Sequence, residues 1–236
     1  MRRFSKACLV MVLALIVAAV LAPATLAAEG TGNSVGWAFF KNDEFSTALT
    51  DNEFGEFKGM IATGTYALIP ITDKWSLGFN VSSAMGWSRG EVKSARLDLG
   101  YGGLAVEYGI PLGEVAHFGI GAVVGGGMAE LATKQGTIAD FDEALGAANS
   151  AKVWRPYLLA QPQAAITFAA SPTVDVTISG GYSFLYSPTG WMDGFNFKQQ
   201  IEGPLKTVGM PFIQIGIAFG IGEYGQFPGE DAPINR

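Results

Sequence analysis

The feature that most constrains this chain is a strict alternation of apolar with small or polar residues, sustained over unusually long runs. In 173–187, Val174, Val176, Ile178, Tyr182, Phe184 and Tyr186 alternate with Asp175, Thr177, Ser179, Gly181 and Ser183. A period of two is that of a β-strand, whose successive side chains point to opposite faces. The same pattern fills 154–168, 211–221 and 75–87. Globular strands usually stop at about five or six residues. Eight runs are expected, at 33–41, 57–70, 74–88, 92–110, 115–131, 153–170, 173–187 and 206–222. Their connections are tight at 71–73, 111–114 and 171–172 and long at 42–56, 132–152 and 188–205, with 89–91 a short exception. Short turns at one end and long loops at the other describe an all-β, up-and-down antiparallel transmembrane β-barrel of eight strands.

Charge placement separates that barrel from a soluble one. Charged residues make up 15% of the chain, against about 25% in soluble domains. Five lie well inside the expected strands: Arg96, Asp98, Glu107, Arg155 and Asp175. Each alternates with apolar neighbours, so each is expected on the small-or-polar face. A soluble barrel would carry charges on its outer face, whereas a charge facing lipid at mid-depth costs about 2–4 kcal/mol. The uncharged apolar face is therefore read as facing lipid, and the five charges as an ion network in the lumen. An apolar content of 49% excludes disorder. A formal charge of −6 without a basic stripe argues against nucleic acid as a partner.

The start of the chain reads as an export signal. Arg2, Arg3 and Lys6 precede an apolar run from Cys8 to Leu21, and small residues follow to Ala28. The expected organisation is a signal peptide over 1–27, a barrel over 28–222 and a short periplasmic tail over 223–236. Loss of Arg2, Arg3 and Lys6 takes the charge from −6 to −9, and loss of Cys8 leaves no cysteine for disulfides. No later window is apolar and long enough for a membrane helix.

The last run carries the most specific motif. Gln214-Ile215-Gly216-Ile217-Ala218-Phe219-Gly220-Ile221 is similar to the assembly signal on the final strand of small eight-stranded outer-membrane barrels. Over its whole length after the signal peptide, the chain resembles that OmpA/OmpX type of protein. The resemblance implies residence in the cell outer membrane, contact with outer-membrane lipid, and recognition of Gln214–Ile221 by the barrel-assembly machinery. The chain departs from the family pattern by continuing through Glu223 to Arg236 instead of ending at the strand.

Motifs for catalysis are thin. Gly32-Asn33-Ser34-Val35-Gly36 matches the nucleophile-elbow pattern, yet it opens a strand instead of joining strand to helix. Gly100-Tyr101-Gly102-Gly103-Leu104-Ala105 matches a dinucleotide fingerprint but lies within a strand. His117 is the single histidine, expected in the lumen near the short turns as a structural group. No catalytic residue, metal site or cofactor is assigned. The acidic first loop (Asp43, Glu44, Asp51, Glu53, Glu56) lacks EF-hand spacing. The same fourth run predicts a bulge at Gly102-Gly103, because Leu97, Leu99 and Tyr101 share one phase while Leu104, Val106 and Tyr108 share the other.

Two further features bear on function. Gly119, Gly121, Gly125 and Gly127 line one inward wall of the fifth run, a possible slot in a lumen otherwise filled by side chains. The long loops carry Phe45, Phe54, Phe141, Trp191, Phe195 and Phe197, read as an apolar cap or contact surface, with a short amphipathic helix at 138–145. These observations support a non-enzymatic integral barrel that is structural, or that offers a narrow passage or binding site for small apolar solutes or lipid. A membrane-embedded lipid-modifying enzyme and a surface adhesion or interaction protein working through its loops remain as alternatives.

Overall fold

The computed structural model describes residues 31–113, 115–136, 150–171, 174–193 and 200–219. The expected signal peptide and tail, the segment 138–145, and Phe141, Phe195, Phe197, Gly220 and Ile221 lie outside these residues. Among the described residues every alternating run forms a strand: β1 (Thr31–Ala38), β2 (Met60–Pro70), β3 (Trp75–Arg89), β4 (Lys93–Pro111), β5 (Ala116–Gln135), β6 (Ser150–Ser171) and β7 (Val174–Tyr186). Two short strands, β8 (Trp191–Asp193) and β9 (Gln200–Ile201), precede the last, β10 (Thr207–Phe219). Strands β1 to β7 pair antiparallel in sequence order, and β10 joins β7 to β1, so eight strands close into a ring. Hairpin β8–β9 extends the wall beside the loop end of β6. Closure removes the unpaired edges that an open sheet leaves exposed. Strands β5 and β6 reach further toward the long loops than the sequence pattern indicates, and keep pairing out to Lys134 and Ser150.

The expected bulge in β4 is absent. From Lys93 to Pro111 the strand pairs with β3 and β5 without a register shift. Ala95, Leu97, Leu99, Tyr101 and Ala105 are all buried, while Leu104, Val106 and Ile110 are exposed. The backbone keeps one phase, and the surroundings change along it. Near the loops the lumen is apolar, so leucines point in; further down the outer surface is apolar, so leucines point out. A register irregularity does occur in β6, between Ala169 and Ser171.

The outer surface carries an apolar belt, interrupted on β1 to β3 by the outward polar side chains of Asn33, Thr63, Thr65 and Ser83. Val35, Phe79, Val81, Leu104, Val124, Leu158, Ile178 and Ile215 are exposed at outward positions on seven of the eight ring strands. On β3 to β6 the belt runs for about ten residues, the length a tilted strand needs to cross a hydrocarbon core. Trp75, packed edge-on against Tyr108 at 5.1 Å, marks its border toward the short turns.

Candidate functional site

Inward side chains divide the lumen into two tiers. Toward the long loops it is filled by Met60, Leu97, Leu99, Leu185, Met210 and Phe212, all buried in one apolar cluster. From mid-barrel toward the short turns many inward positions are polar, and they bond mostly to the neighbouring strand. Ser34 Oγ donates to Gln214 Oε1 (3.1 Å), Ser183 Oγ donates to Gln161 Oε1 (2.9 Å), and the hydroxyls of Thr167 and Thr177 are 2.9 Å apart. Tyr66 reaches Thr177 at 3.4 Å. Alternation dictates this layering, because every second residue must enter the barrel and must match what it meets there.

The five strand charges do not assemble into one network. Glu107 and Asp175 enter the polar tier, where both act electrostatically on Tyr66 and Asp175 also acts on His117. Arg155 sits higher and is almost wholly buried, yet its partners are backbone carbonyls. Its Nε donates to Thr189 O (3.1 Å), and one terminal nitrogen donates to Gly203 O (3.1 Å) and Pro204 O (2.6 Å). Arg96 and Asp98 correct the expectation outright. The unbroken phase of β4 turns both outward, where Arg96 pairs with Asp98 at 2.6 Å. Leu97 and Leu99 are buried in the apolar upper lumen, so the charges that alternate with them face out and not in.

The glycine wall of β5 is occupied by its neighbour. A side chain at Gly127 would meet Tyr101, and one at Gly119 would meet the Glu107 carboxylate. Gly121 and Gly125 lie against the backbone of β4, at Val106 and at Gly102–Gly103. Gly32 faces its cross-strand partner Tyr66, and Gly181 faces Phe212, in the same way. Large side chains lie flat over glycines of the adjacent strand, so these glycines mark contact. Register was the missing signal, since it alone shows which aromatic lies beside which glycine.

The first and last loops close the barrel mouth. Residues Asp43–Asp51 form a helix, α1, in the first loop. Asn42 caps it by accepting from Phe45 N (2.8 Å), and Asp43 and Glu44 occupy its first turn, where carboxylates favour the helix dipole. Phe45 and Leu49 face down, and Phe40, Phe45 and Phe57 meet edge to face at 5.1–5.7 Å. Ser88 Oγ donates to the carbonyl of Gly55 (2.8 Å), and Lys93 pairs with Glu53 (3.2 Å) while lying over the Phe54 ring. In the last loop Trp191 is buried with its Nε1 donating to Pro204 O (2.9 Å), and Tyr157 Oη donates to Leu205 O (2.6 Å). Leu205 holds a left-handed backbone (φ 70), a conformation disfavoured by about 1–2 kcal/mol outside glycine; its side chain is fully buried. Phe45 and Trp191 thus belong to the same apolar cluster as the upper lumen.

Neither sequence motif forms a reactive pair. Ser34 bonds to Gln214 and to Gly64 O, while His117 lies on β5 at the short-turn end. Among the described residues no three His, Cys, Asp or Glu side chains could hold a metal ion. No protein-family model matches the chain, and comparison with curated proteins finds no match. Among solved structures the chain is similar to Neisserial surface protein A, at 10% identity over 81% of this chain and 96% of that one, with a TM-score of 0.49. It is also similar to Ail, the attachment invasion locus protein of Yersinia pestis, at 11% identity over 80% and 96%, with a TM-score of 0.42. The outer-membrane protease OmpT of Escherichia coli aligns at 9% identity over 70% and 65%, with a TM-score of 0.36. Their names describe a surface protein, an attachment protein and a protease, so no activity follows from the likeness.

Proposed function

We propose that this chain is a non-enzymatic, integral outer-membrane β-barrel with a sealed lumen, and that its role is structural instead of a passage for solutes. The observation that carries this reading is the upper lumen. Met60, Leu97, Leu99, Leu185 and Met210 are fully buried there and continuous with the cap residues Phe45 and Trp191. A solute would have to displace that packing, and removing one large apolar side chain from a packed core costs about 2–5 kcal/mol. Membrane insertion is supported by the closed ring and by the exposed apolar belt, because only helices and closed barrels satisfy their backbones within lipid.

Refolding into liposomes, followed by flotation and planar-bilayer recording, tests both parts. The expected result is a protein that floats with the vesicles and gives no steady conductance step. A soluble monomer would overturn the membrane reading, and a stable single-channel conductance would overturn the seal.

A further inference from the structure

The outer wall carries charge on one side only. At outward positions, strands β1, β2, β7 and β10 have no charged residue. Strands β3 to β6 carry Arg89, Arg96, Lys134 and Lys152 with Asp98 and Glu130. This collar has four cations and two carboxylates in a chain whose overall charge is −6. It begins where the apolar belt ends, at the border facing the long loops. Two cross-strand rows define it. One reads Trp87, Arg96, Ala132, Lys152, and the row nearer the belt reads Met85, Asp98, Glu130, Trp154.

The two rows are built differently. Asp98 and Glu130 are direct cross-strand neighbours, a like-charge contact that destabilises a sheet when left alone. Arg96 covers Asp98 and Lys152 covers Glu130. The carboxylate side chains keep only 24% and 15% of their exposure, whereas Arg96 and Lys152 keep 50% and 44%. The acids therefore lie against the wall as props, and the cations stand outermost. Lys152 is further steadied over the Trp154 ring, 4.7 Å from its centroid. Arg96 and Lys152 stand two strands apart, about 10 Å, with Ala132 as a small floor between them. Lys134 lies two residues beyond Ala132 on the same face.

We propose that this collar is a binding site for the anionic phosphate headgroup of a lipid in the leaflet on the loop side. Three cations around a small residue, at the depth where headgroups begin, match a phosphate whose acyl chains run down the apolar belt of β3–β6. Arg96 gives Nε and one terminal nitrogen to Asp98 Oδ2 (2.6 Å each), so it offers phosphate oxygens its other terminal nitrogen, beside the point charges of Lys152 and Lys134. The collar rests on the membrane reading above, because without a bilayer it has no headgroup to meet.

The test uses the refolded full chain and the variant R96Q/K152Q, each shown to float with vesicles and to change gel mobility on boiling. Native mass spectrometry then counts bound lipid during titration with phosphatidic acid, phosphatidylglycerol, phosphatidylcholine and, separately, inorganic phosphate. The expected result is one anionic lipid retained at about tenfold lower concentration than phosphatidylcholine, with the preference lost in R96Q/K152Q and kept in R96K/K152R. Preference for phosphatidic acid over phosphatidylglycerol would assign a monoester phosphate, and the reverse order a diester; either supports the site. Equal retention by R96Q/K152Q, or equal binding of inorganic phosphate, would overturn it. So would a change confined to oligomeric state, which would assign the collar to contact between copies of the chain. A chain that fails to float would refute the membrane reading itself, so the two failures are distinguishable.

Discussion

Arg155 shows how far a single residue can depart from its obvious reading. Alternation correctly places it in the lumen, and a buried arginine invites a search for a carboxylate partner. Its guanidinium instead gathers the carbonyls of Thr189, Gly203 and Pro204 and faces the Trp191 ring at 5.8 Å. An always-charged donor with a fixed fork can satisfy several backbone oxygens at once, which no neutral side chain of similar length does. Arg155→Met preserves much of the volume and removes every one of these donors. Hydrogen bonds to charged groups are worth about 1.5–3 kcal/mol each, and Pro204 O keeps its bond from Trp191 Nε1, which limits the loss. The expected outcome is a loss of about 2–4 kcal/mol in a denaturant titration, with faster proteolysis of the last loop. Unchanged stability and protease resistance would show that the clamp does not hold that loop.

Among the elements, legibility followed alternation. The eight long strands and their tight turns were readable because each buries one face and exposes the other, and a period of two survives any detail of packing. The end of each strand was less readable, since β5 and β6 continue beyond their apolar pattern wherever the neighbouring strand still offers hydrogen bonds. Sidedness in β4 was misread at Leu97 and Leu99, because an apolar lumen and an apolar exterior give the same residue types. Helix α1 is not legible from periodicity: its few apolar residues lie in an acidic loop, where the Asn42 cap and the first-turn Asp43 and Glu44 are its local signals. Tertiary packing decides α1, since a nine-residue helix is marginal in water on its own. Phe45→Ala removes a buried ring from the Phe40–Phe45–Phe57 cluster, at a cost of about 3–5 kcal/mol. Because α1 is attached to the ring at its mouth, the loss should be local. Amide exchange should rise across 42–57 while β3 to β6 stay protected; a uniform rise over all strands would mean that the cap and the barrel unfold as one unit.

At the scale of the whole molecule, the ring makes inside and outside a property that every strand must share. Because β10 closes on β1 residue by residue, from Thr31 opposite Phe219 to Ala38 opposite Phe212, a slip of one position would turn every side chain of the slipped strand to the wrong face. Two adjacent residues of β10 test that partition. Ile215 is exposed in the middle of the belt, and Gln214 points into the polar tier, bonded to Ser34. An arginine at Ile215 would face lipid at mid-depth, at about 2–4 kcal/mol. An arginine at Gln214 would enter a lumen whose base already holds the carboxylates of Glu107 and Asp175. Ile215→Arg should therefore lower the yield of protein that inserts into vesicles and shifts mobility on boiling, by a larger factor than Gln214→Arg. Equal yields would show that the surface around Ile215 does not meet lipid, and the belt would need another explanation, such as burial against a second protein. Restoring insertion of Ile215→Arg in a thinner bilayer would add support, because a shallower hydrocarbon core brings the same residue nearer to water.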